Sequence, residues 1–242
     1  MEILSNPLLL IKPKGITSFM AINELKKILP KKTKIGHAGT LDPMATGLLI
    51  VLIGREQTKL QSDFLTLDKK YIAEITFGVS SNTYDIDSNS VLSYSTNSKD
   101  LRNLKLEDIT KMLEENFKGE INQTVPAYSA VKVRGNKMYQ YARKGESVSL
   151  PVKKVNIYNF KIISFENNYN KQTDDLSLLP KLTIQFVVSK GTYIRSIAND
   201  LGGLLGVGAV LSGLERTAIG KYNVKDAINI KKAKKLLVTK FT

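Results

Sequence analysis

The chain has 242 residues, of which 42% are hydrophobic and 24% charged, as is ordinary for a globular protein with a substantial core. It contains no cysteine and a single histidine, His37, which excludes disulfides, thiol catalysis and metal sites built from cysteines or several histidines. With 36 Lys and Arg against 22 Asp and Glu, the net charge is +14 and the pI is about 9.7, a balance that favours a polyanionic partner.

Hydrophobic periodicity predicts the elements in chain order. The N-terminus has an apolar stretch but no small-residue cleavage site, and we interpret it as a first strand and not as a signal peptide. Ser18 is predicted to cap an amphipathic helix that Pro30 ends. No apolar run approaches the ~20 residues of a membrane span. The predicted elements are strands at 8–11, 48–53, 70–79, 152–165 and 181–188, helices at 18–29, 106–117 and 193–205, and polar loops at 88–100 and 167–175. This mixture favours an α+β fold in a single domain.

Two segments concentrate the positive charge. Residues 129–154 hold seven basic residues against Glu146 alone, with Tyr139 and Tyr141 among them. The end of the chain from Lys221 adds seven lysines against Asp226. Two basic clusters favour nucleic acid as the partner, while an anionic membrane surface stays open as an alternative.

The stretch GHAGTLDPMATGLLIVLIG, residues 36–54, permits two interpretations of Asp42, as the start of a helix or as a catalytic carboxylate. An Asp-Pro pair commonly opens a short helix, because Asp is a good N-cap and Pro a good first residue. However, glycines at positions 36, 39 and 47 let the backbone approach a ligand, and Pro43 fixes the direction of the Asp42 carboxylate. The apolar run that follows would anchor this loop on a rigid strand, as suits a catalytic group.

Five segments together resemble the TruB family of tRNA pseudouridine synthases. GHAGTLDPMATGLL resembles the family's signature loop, and it occurs with four other matching segments in family order over about residues 6 to 230. They are LLLIKPKGITS, DKKYIAEITFG, VPAYSAVKVRGNKMYQYARKG and KGTYIRSIANDLGGLLGVGAVLSGLERTAIGKY. The resemblance implies the pseudouridine synthase fold, a single mixed and largely antiparallel sheet with flanking helices. It also implies a catalytic domain over residues 1–230 with an RNA-contacting insertion at about 124–152, followed here by a basic tail at 231–242. Family members commonly carry a C-terminal PUA domain, and this chain is expected to depart from them and have none, because 26 residues after Arg216 are too few for one.

The same resemblance implies an activity, the isomerisation of uridine to pseudouridine at position 55 in the TΨC loop of tRNA. Asp42 matches the catalytic aspartate, Tyr71 the active-site tyrosine and Arg195 the arginine that pairs with the aspartate. Arg195 also has support that is independent of the resemblance. Thr192 as N-cap places Arg195 in the first turn of a helix, where a cation opposes the helix dipole, so helix stability does not explain the arginine. An aspartate partner would explain it, since a guanidinium keeps a nearby carboxylate ionised.

The remaining site residues are expected to bind the substrate. Tyr193 and Leu214 match pocket positions, and His37 matches a residue of the RNA-facing loop. Asp85 is carried over although its acidic loop differs in detail from the family pattern. Lys132 and Arg143 are expected to contact phosphate from the basic segment 129–154. The substrate-binding set is therefore His37, Tyr193, Leu214, Asp85, Lys132 and Arg143.

The expected partner is the T-arm of tRNA, without a cofactor, metal, membrane or obligate protein partner, in a cytoplasmic monomer. Two alternatives stay open. One is an RNA-binding protein or tRNA folding chaperone with the synthase fold, although a pure binder needs none of Asp42, Tyr71 and Arg195. The other is a synthase that acts on a different RNA. A nucleotide-dependent enzyme is disfavoured because no GxxxxGK[ST] motif occurs.

Overall fold

A computed structural model describes residues 6–87, 90–95, 98–146, 148–169 and 173–241. Residues 1–5 of the N-terminal stretch and parts of both polar loops, of the basic segment and of the chain end fall outside these ranges. Contacts divide the chain into two compact units, residues 1–72 with 214–242 and residues 73–213. None of the helices in the described ranges is both long and apolar enough to cross a membrane.

In chain order, the strands are β1 (Leu8–Lys12), β2 (Ile35–Ala38), β3 (Thr46–Ile53), β4 (Lys69–Phe77), β5 (Val79–Ser81), β6 (Leu92–Tyr94), β7 (Gly119–Thr124), β8 (Lys132–Val133), β9 (Asn136–Lys137), β10 (Val152–Glu166), β11 (Lys181–Val188), β12 (Ala209–Ile219), β13 (Tyr222–Asn223) and β14 (Ile228–Asn229). The helices are α1 (Ser18–Lys26), α2 (Arg55–Lys59), α3 (Gln61–Thr66), α4 (Ser98–Asn103), α5 (Leu106–Phe117), α6 (Met138–Arg143), α7 (Ile194–Leu204) and α8 (Ile230–Phe241). A 3-10 turn spans Val224–Asp226.

The described strands form one ten-stranded sheet and two small hairpins, β5 with β6 and β8 with β9. Hydrogen-bonded neighbours in the large sheet follow the order β14-β1-β3-β12-β4-β11-β10-β7, with β13 beside β12 and β2 beside β3. Among the pairs whose register is defined, β1–β14 and β12–β3 are parallel and the rest are antiparallel. The predicted α+β class with a mixed, largely antiparallel sheet is confirmed.

In the first unit, strand β3 is buried on both faces. Leu49, Val51 and Ile53 pack into a core shared with β1, α1 and α8. On the opposite face, Leu48, Ile50 and Leu52 pack with Ala38 and Ile219. Burial on both faces explains why this strand is a continuous apolar run without alternation.

The lysine-rich chain end, predicted as a basic tail, forms helix α8 instead. Ala233 and Leu237 are fully buried in the core that contains α1. Glu24 of α1 forms ion pairs with Lys234 and Lys27, and these hydrogen-bonded cations, Lys234 first, lower the pKa of Glu24 to about 2. Two buried apolar residues one helical turn apart, with Ile230 and the Lys234–Glu24 ion pair beside them, thus hold this mostly basic segment against α1.

In the second unit, strand β10 pairs with β7 on one side and β11 on the other, both antiparallel. Strand β11 alternates as predicted, with Leu182, Ile184, Phe186 and Val188 buried. Helix α5 has the predicted bounds and buries Ile109, Leu113 and Phe117. The assignment of residues 1–230 to one catalytic domain stays a prediction beside the two compact units.

Candidate active site

The loop between β2 and β3 carries Asp42 in a hydrogen-bonded turn. The Ala45 N–H donates to the carbonyl oxygen of Asp42 at 3.1 Å, and the Asp42 side chain is half-buried. The Asp-Pro pair therefore forms a single turn and does not open a helix. Strands β2 and β3, which pair antiparallel from Ile35–Ile53 to Ala38–Ile50, support the loop at both ends.

Ser18 fixes the residue directly before Asp42. Its buried Oγ accepts a hydrogen bond from the Leu41 N–H at 2.8 Å and donates to the Leu41 carbonyl at 3.3 Å. The predicted N-cap role of Ser18 is wrong, because Thr17 is the N-cap of α1 and accepts from the Met20 N–H at 3.0 Å. The Ser18 hydroxyl is thus available to hold the loop.

Lys12 and Gly15 fix the residue directly after Asp42. The Gly15 N–H donates to the Pro43 carbonyl at 2.8 Å. Lys12 is fully buried, and its Nζ donates to the carbonyls of Pro13 at 2.8 Å, Ile16 at 2.7 Å and Pro43 at 3.3 Å. A buried ammonium satisfied by carbonyl groups ties the first turn of the chain to the Asp42 loop.

Arg216 of β12 fixes both ends of the same loop. Only 1% of Arg216 is exposed, and its guanidinium donates to the Gly39 carbonyl from Nη2 and to the Leu48 carbonyl from Nε, each at 2.8 Å. The backbone of Arg216 lies against Gly47, where a Cβ would come within 2.4 Å of the Arg216 carbonyl oxygen. Gly47 also has a φ of 100°, so this close approach requires glycine.

His37 lies half-buried on β2. Its Nδ1 is buried and has no hydrogen-bond partner within the described part of the chain. Burial, and then the nearby Arg216 cation, lower the pKa of His37 below its usual value of 6.5. The lowered pKa favours the neutral imidazole of His37 at pH 7.

Two further predicted residues belong to the first unit. Tyr71 is 9% exposed and lies on the buried face of β4, where the predicted alternation holds. Leu214 is half-buried on β12, and its carbonyl accepts from the Thr46 hydroxyl at 3.4 Å, at the end of the Asp42 loop.

Arg195 and Asp85 form a buried ion pair in the second unit. Nη1 of Arg195 lies 3.6 Å from Oδ2 of Asp85, and both side chains are nearly inaccessible. Arg195 also donates to the carbonyls of Thr83 at 2.8 Å and Tyr128 at 3.0 Å. Asp85 Oδ1 accepts from the Thr83 hydroxyl at 2.6 Å. This network holds the guanidinium in one place, so Asp85 is better suited to positioning Arg195 than to touching a substrate.

Tyr193 is the residue before α7 and is held through its backbone. The Tyr193 N–H donates to Gln123 Oε1 at 2.7 Å, and Gln123 Nε2 donates to the Tyr193 carbonyl at 3.0 Å. Tyr193, and not the predicted Thr192, is therefore the N-cap residue, while the Thr192 hydroxyl donates to the Ser189 carbonyl. Arg195 is the second residue of α7, in the first turn as predicted.

Lys132 and Arg143 lie exposed on a small substructure, the β8–β9 hairpin followed by α6. The Arg143 guanidinium lies over the Tyr139 ring at 5.3 Å, and Lys137 Nζ lies 5.6 Å from the same ring centroid. Tyr139 and Arg143 also line a cavity of about 500 Å³ with Asn136, Gln140, Tyr141 and Lys144. An aromatic ring among cations is typical of surfaces that bind nucleic acid.

The predicted residues divide between the two units, and the supporting residues were mostly missed. His37, Asp42, Tyr71 and Leu214 belong to the first unit, and Asp85, Lys132, Arg143, Tyr193 and Arg195 belong to the second. Among the described residues, no cluster of three His, Cys, Asp or Glu side chains could hold a metal ion. Sequence analysis missed the contacts of Lys12, Arg216 and Gln123, which join residues far apart in the chain and leave no local pattern.

Comparison with known proteins gives consistent relatives. The family model described as TruB family pseudouridylate synthase (N terminal domain) matches residues 26–194. The chain is 41% identical over 224 residues to the tRNA pseudouridine synthase B of Endomicrobium trichonymphae, covering 93% of this chain and 89% of that protein. It is 43% identical over 222 residues to the tRNA pseudouridine synthase B of Protochlamydia amoebophila, covering 92% and 77%. With that of Fusobacterium nucleatum the identity is 40%, covering 88% and 67%.

Solved structures agree on the fold. A chain in the crystal structure of a Cbf5-Nop10-Gar1 complex aligns with a TM-score of 0.66 at 27% identity over 96% of this chain. A chain of the archaeal box H/ACA sRNP Nop10-Cbf5 complex aligns with a TM-score of 0.64 at 22% identity over 98%. This chain spans about half the length of those two, 54% and 55%. The sequence relatives and the matched family model show that the chain belongs to the TruB family of pseudouridylate synthases.

Proposed function

We propose that this chain converts the uridine at position 55 in the TΨC loop of tRNA to pseudouridine, with Asp42 as the catalytic carboxylate. The broader activity is the isomerisation of uridine to pseudouridine in tRNA, which the name of the relatives states. This chain is about 40% identical in sequence to those relatives over most of its length. The position in the tRNA and the roles of the residues go beyond that activity and belong to the proposal.

The reaction is an isomerisation in which every atom is retained. The bond between N1 of the base and C1′ of the sugar breaks, the base turns, and a C5–C1′ bond forms. N1 gains a proton while C5 loses one, so the step requires no oxidant, reductant or energy source. An ionised carboxylate assists either by adding to the ring or by promoting loss of the base from the sugar.

Asp42 is suited to this role because its loop is held in one conformation. Leu41 is fixed by Ser18, Pro43 by Gly15, and Gly39 by Arg216, so the backbone on both sides of Asp42 has defined partners. A preorganised carboxylate loses little free energy to reorientation during the reaction. These contacts of the residues around Asp42, which itself matches the family's aspartate, are the observation that carries the proposal.

Tyr71 and Arg195 take the two other catalytic roles. Tyr71 is proposed to stack on the target base and to accept the C5 proton during rejoining. Arg195 is proposed as the cation that keeps the catalytic carboxylate ionised, and its pairing with Asp85 favours a fixed guanidinium. Asp85 is then a positioning residue.

The substrate contacts are proposed for the remaining residues. Tyr193 and Leu214 would shelter the base after it leaves its stack, which costs a few kcal/mol that pocket contacts recover. His37, neutral because of its lowered pKa, would contact the RNA near the vacated space. The exposed side chains of Lys132 and Arg143 would contact phosphate groups of the T-arm. A cytoplasmic monomer without an obligate protein partner stays part of this proposal.

The test is tritium release from C5-tritiated uridine in a T-arm RNA and in full-length tRNA. Wild type is compared with Asp42→Asn, which keeps the size and removes the charge, and with Asp63→Asn, a matched change at an exposed position on α3. We expect release by wild type and Asp63→Asn alone, with all three proteins binding RNA. Equal release by Asp42→Asn would overturn the role of Asp42.

Two other outcomes point to the alternatives. Tight tRNA binding without release by wild type would favour a folding chaperone with the synthase fold. Release from a different RNA and none from tRNA would favour a synthase with another substrate. In either case the position-55 proposal would be wrong.

A further inference from the structure

The first unit carries an open groove of about 1140 Å³ that the candidate site does not use. Its walls come from the end of α1, the turn that follows, the start of β2, and helix α2. Seven of its fifteen lining residues are cations and none is Asp or Glu. The cations are Lys26, Lys27, Lys31, Lys32, Lys34, Arg55 and Lys59.

Most of these cations lack an anionic partner. Lys27 pairs with Glu24, and Lys59 pairs with Glu56 at 2.9 Å. The other five form no ion pair within the ranges that the structure describes, and all five are exposed. Five uncompensated charges around one hollow repel each other, a cost that a bound anion removes. The C-terminal dipole of α1 explains Lys26 and Lys27 but not the lysines of the following turn.

The turn after α1 keeps a lysine where the backbone favours glycine. The Thr33 N–H donates to the Pro30 carbonyl at 3.1 Å, which closes a four-residue turn with Lys32 at its third position. Lys32 has a φ of 73°, a left-handed conformation that glycine adopts freely and that L-residues other than Asn and Asp adopt at a cost. The strain arises from the Cβ atom and not from the charge, so the backbone at this position gives no reason for a lysine in place of glycine.

We propose that this groove binds the sugar-phosphate backbone of tRNA, as a second and sequence-independent contact surface. The proposal rests on the proposed function for the identity of the RNA. The charges line a hollow, which admits a strand of phosphates, whereas a bilayer presents a broad and nearly flat surface. Of the apolar lining residues, Leu29 and Leu52 are buried, Ile35 is half-buried and Pro30 is exposed, so the groove presents little apolar surface to anchor lipid. Gly36 lines the groove and directly precedes His37, so the groove ends on the strand that leads to the Asp42 loop.

The test compares two variants that lose the same charges. The groove variant is Lys26→Gln, Lys31→Gln, Lys32→Gln and Arg55→Gln. The control variant is Arg102→Gln, Lys105→Gln, Lys111→Gln and Lys118→Gln, four exposed cations in or beside α4 and α5. Each removes three lysines and one arginine. Dissociation constants for full-length tRNA are measured over a range of salt concentrations, and thermal unfolding checks that both variants fold.

We expect the groove variant to bind tRNA at least tenfold more weakly than the control variant at low salt. Its slope of log affinity against log salt should be smaller by about 3, because each phosphate contact contributes roughly 0.7 to 0.9. KM for tRNA should rise with the dissociation constant. Equal affinities and slopes for the two variants would overturn the proposal, since net charge alone would then explain binding.

Two arms separate this proposal from its rivals. In the first arm, wild type and both variants are mixed with vesicles of anionic phospholipid. If the groove variant alone loses vesicle binding while its tRNA binding is intact, the groove binds lipid and the proposal is overturned. Tritium release is measured in parallel. If wild type releases no tritium while the groove variant alone loses tRNA affinity, the groove proposal stands and the proposed function fails.

Discussion

The Arg216 guanidinium donates to the Gly39 carbonyl at 2.8 Å, across 177 positions of the chain, while its Nε holds the Leu48 carbonyl. Both acceptors flank the loop that carries Asp42. Because the loop is also bound at Leu41 and Pro43, each residue beside Asp42 has a partner outside the loop. A buried arginine that faces no carboxylate in these contacts thus serves as a backbone anchor for the candidate site.

Replacing Arg216 by lysine should lower catalysis more than binding. Lysine keeps the charge but cannot reach both carbonyls, since it lacks the planar fork of the guanidinium. We expect a loss of about 2–3 kcal/mol in the free energy of unfolding and a fall in kcat of about 10- to 100-fold, because small misplacements of a catalytic group are costly. Single-turnover kinetics and urea unfolding measure both. Arg102→Lys, an exposed position, should change neither, and an unchanged kcat in Arg216→Lys would show that the loop does not depend on this anchor.

Substitutions at two adjacent hydroxyls should separate helix capping from loop positioning. Thr17→Ala removes the cap acceptor of α1 and should cost about 1 kcal/mol of stability without changing kcat. Ser18→Ala leaves the Leu41 N–H without its acceptor, which should cost about 1–3 kcal/mol and lower kcat as well. Thermal unfolding and tritium release are measured for both. If the two variants lose kcat equally, Ser18 has no special role at the loop.

His37 should make stability depend on pH in a window below 6.5. Its folded-state pKa lies below the usual value of 6.5, so the unfolded chain binds the proton more tightly than the folded chain does. The contribution is fully present above 6.5 and is lost as the pH falls toward the lower, folded-state pKa. Urea unfolding of wild type and His37→Gln between pH 7.5 and 5 tests this, and His37 is the single histidine. Parallel curves for the two proteins would show that the His37 pKa is unshifted.

Much of the fold was predictable because its elements have local patterns. The apolar run of β3 and the periodicity of α5 each follow from contacts repeated within one segment. Helix α8 was not predictable, because only Ala233 and Leu237 are buried while Leu236 and Val238 remain exposed. Its docking depends on a core built by residues about 180 to 230 positions earlier.

The sequence offered Asp42 as a candidate, whose catalytic role stays a prediction, but it did not indicate the residues that hold the Asp42 loop. The loop motif identified Asp42 because glycines, proline and aspartate occur together at fixed spacing. Ser18 and Arg216 hold the loop through hydrogen bonds to backbone groups that are distant in the chain. Because every residue type has these backbone groups, such contacts cannot be recognised from the sequence. For the same reason no local pattern indicates the Gln123 clamp on Tyr193, and the hydroxyl of Thr192 is the more obvious cap candidate.

Breaking the Asp85–Arg195 pair should reduce both stability and activity. Asp85→Asn keeps the size of the side chain but removes the Asp85 carboxylate from beside the buried Arg195 guanidinium. Loss of one partner in a buried pair costs about 3–5 kcal/mol, and we expect the lower end because Thr83 and Tyr128 still accept from Arg195. Chemical denaturation measures the loss, and tritium release should fall in parallel. Asp174→Asn, an exposed control, should stay within about ±0.5 kcal/mol of wild type. A similar small change in Asp85→Asn would mean that the pair does not hold the guanidinium.

Glycine at position 32 should stabilise the protein and weaken its hold on RNA. Because Lys32 has a φ of 73°, Lys32→Gly relieves a left-handed conformation and should raise stability by about 0.5–1 kcal/mol, a rise in Tm of roughly 1–4 °C. Lys31→Gly is the matched control, since it removes the same charge from the same turn at a residue without positive φ and should lower stability.

Both glycine variants should bind tRNA more weakly by a similar factor, because each removes one cation from the groove. Thermal unfolding and salt-dependent tRNA binding, measured side by side, distinguish the two effects. Opposite changes in stability with equal losses of affinity would mean that position 32 keeps its lysine for the ligand, at the expense of the fold. If Lys32→Gly gains stability and binds tRNA as wild type does, the charge at this turn has no role in RNA binding.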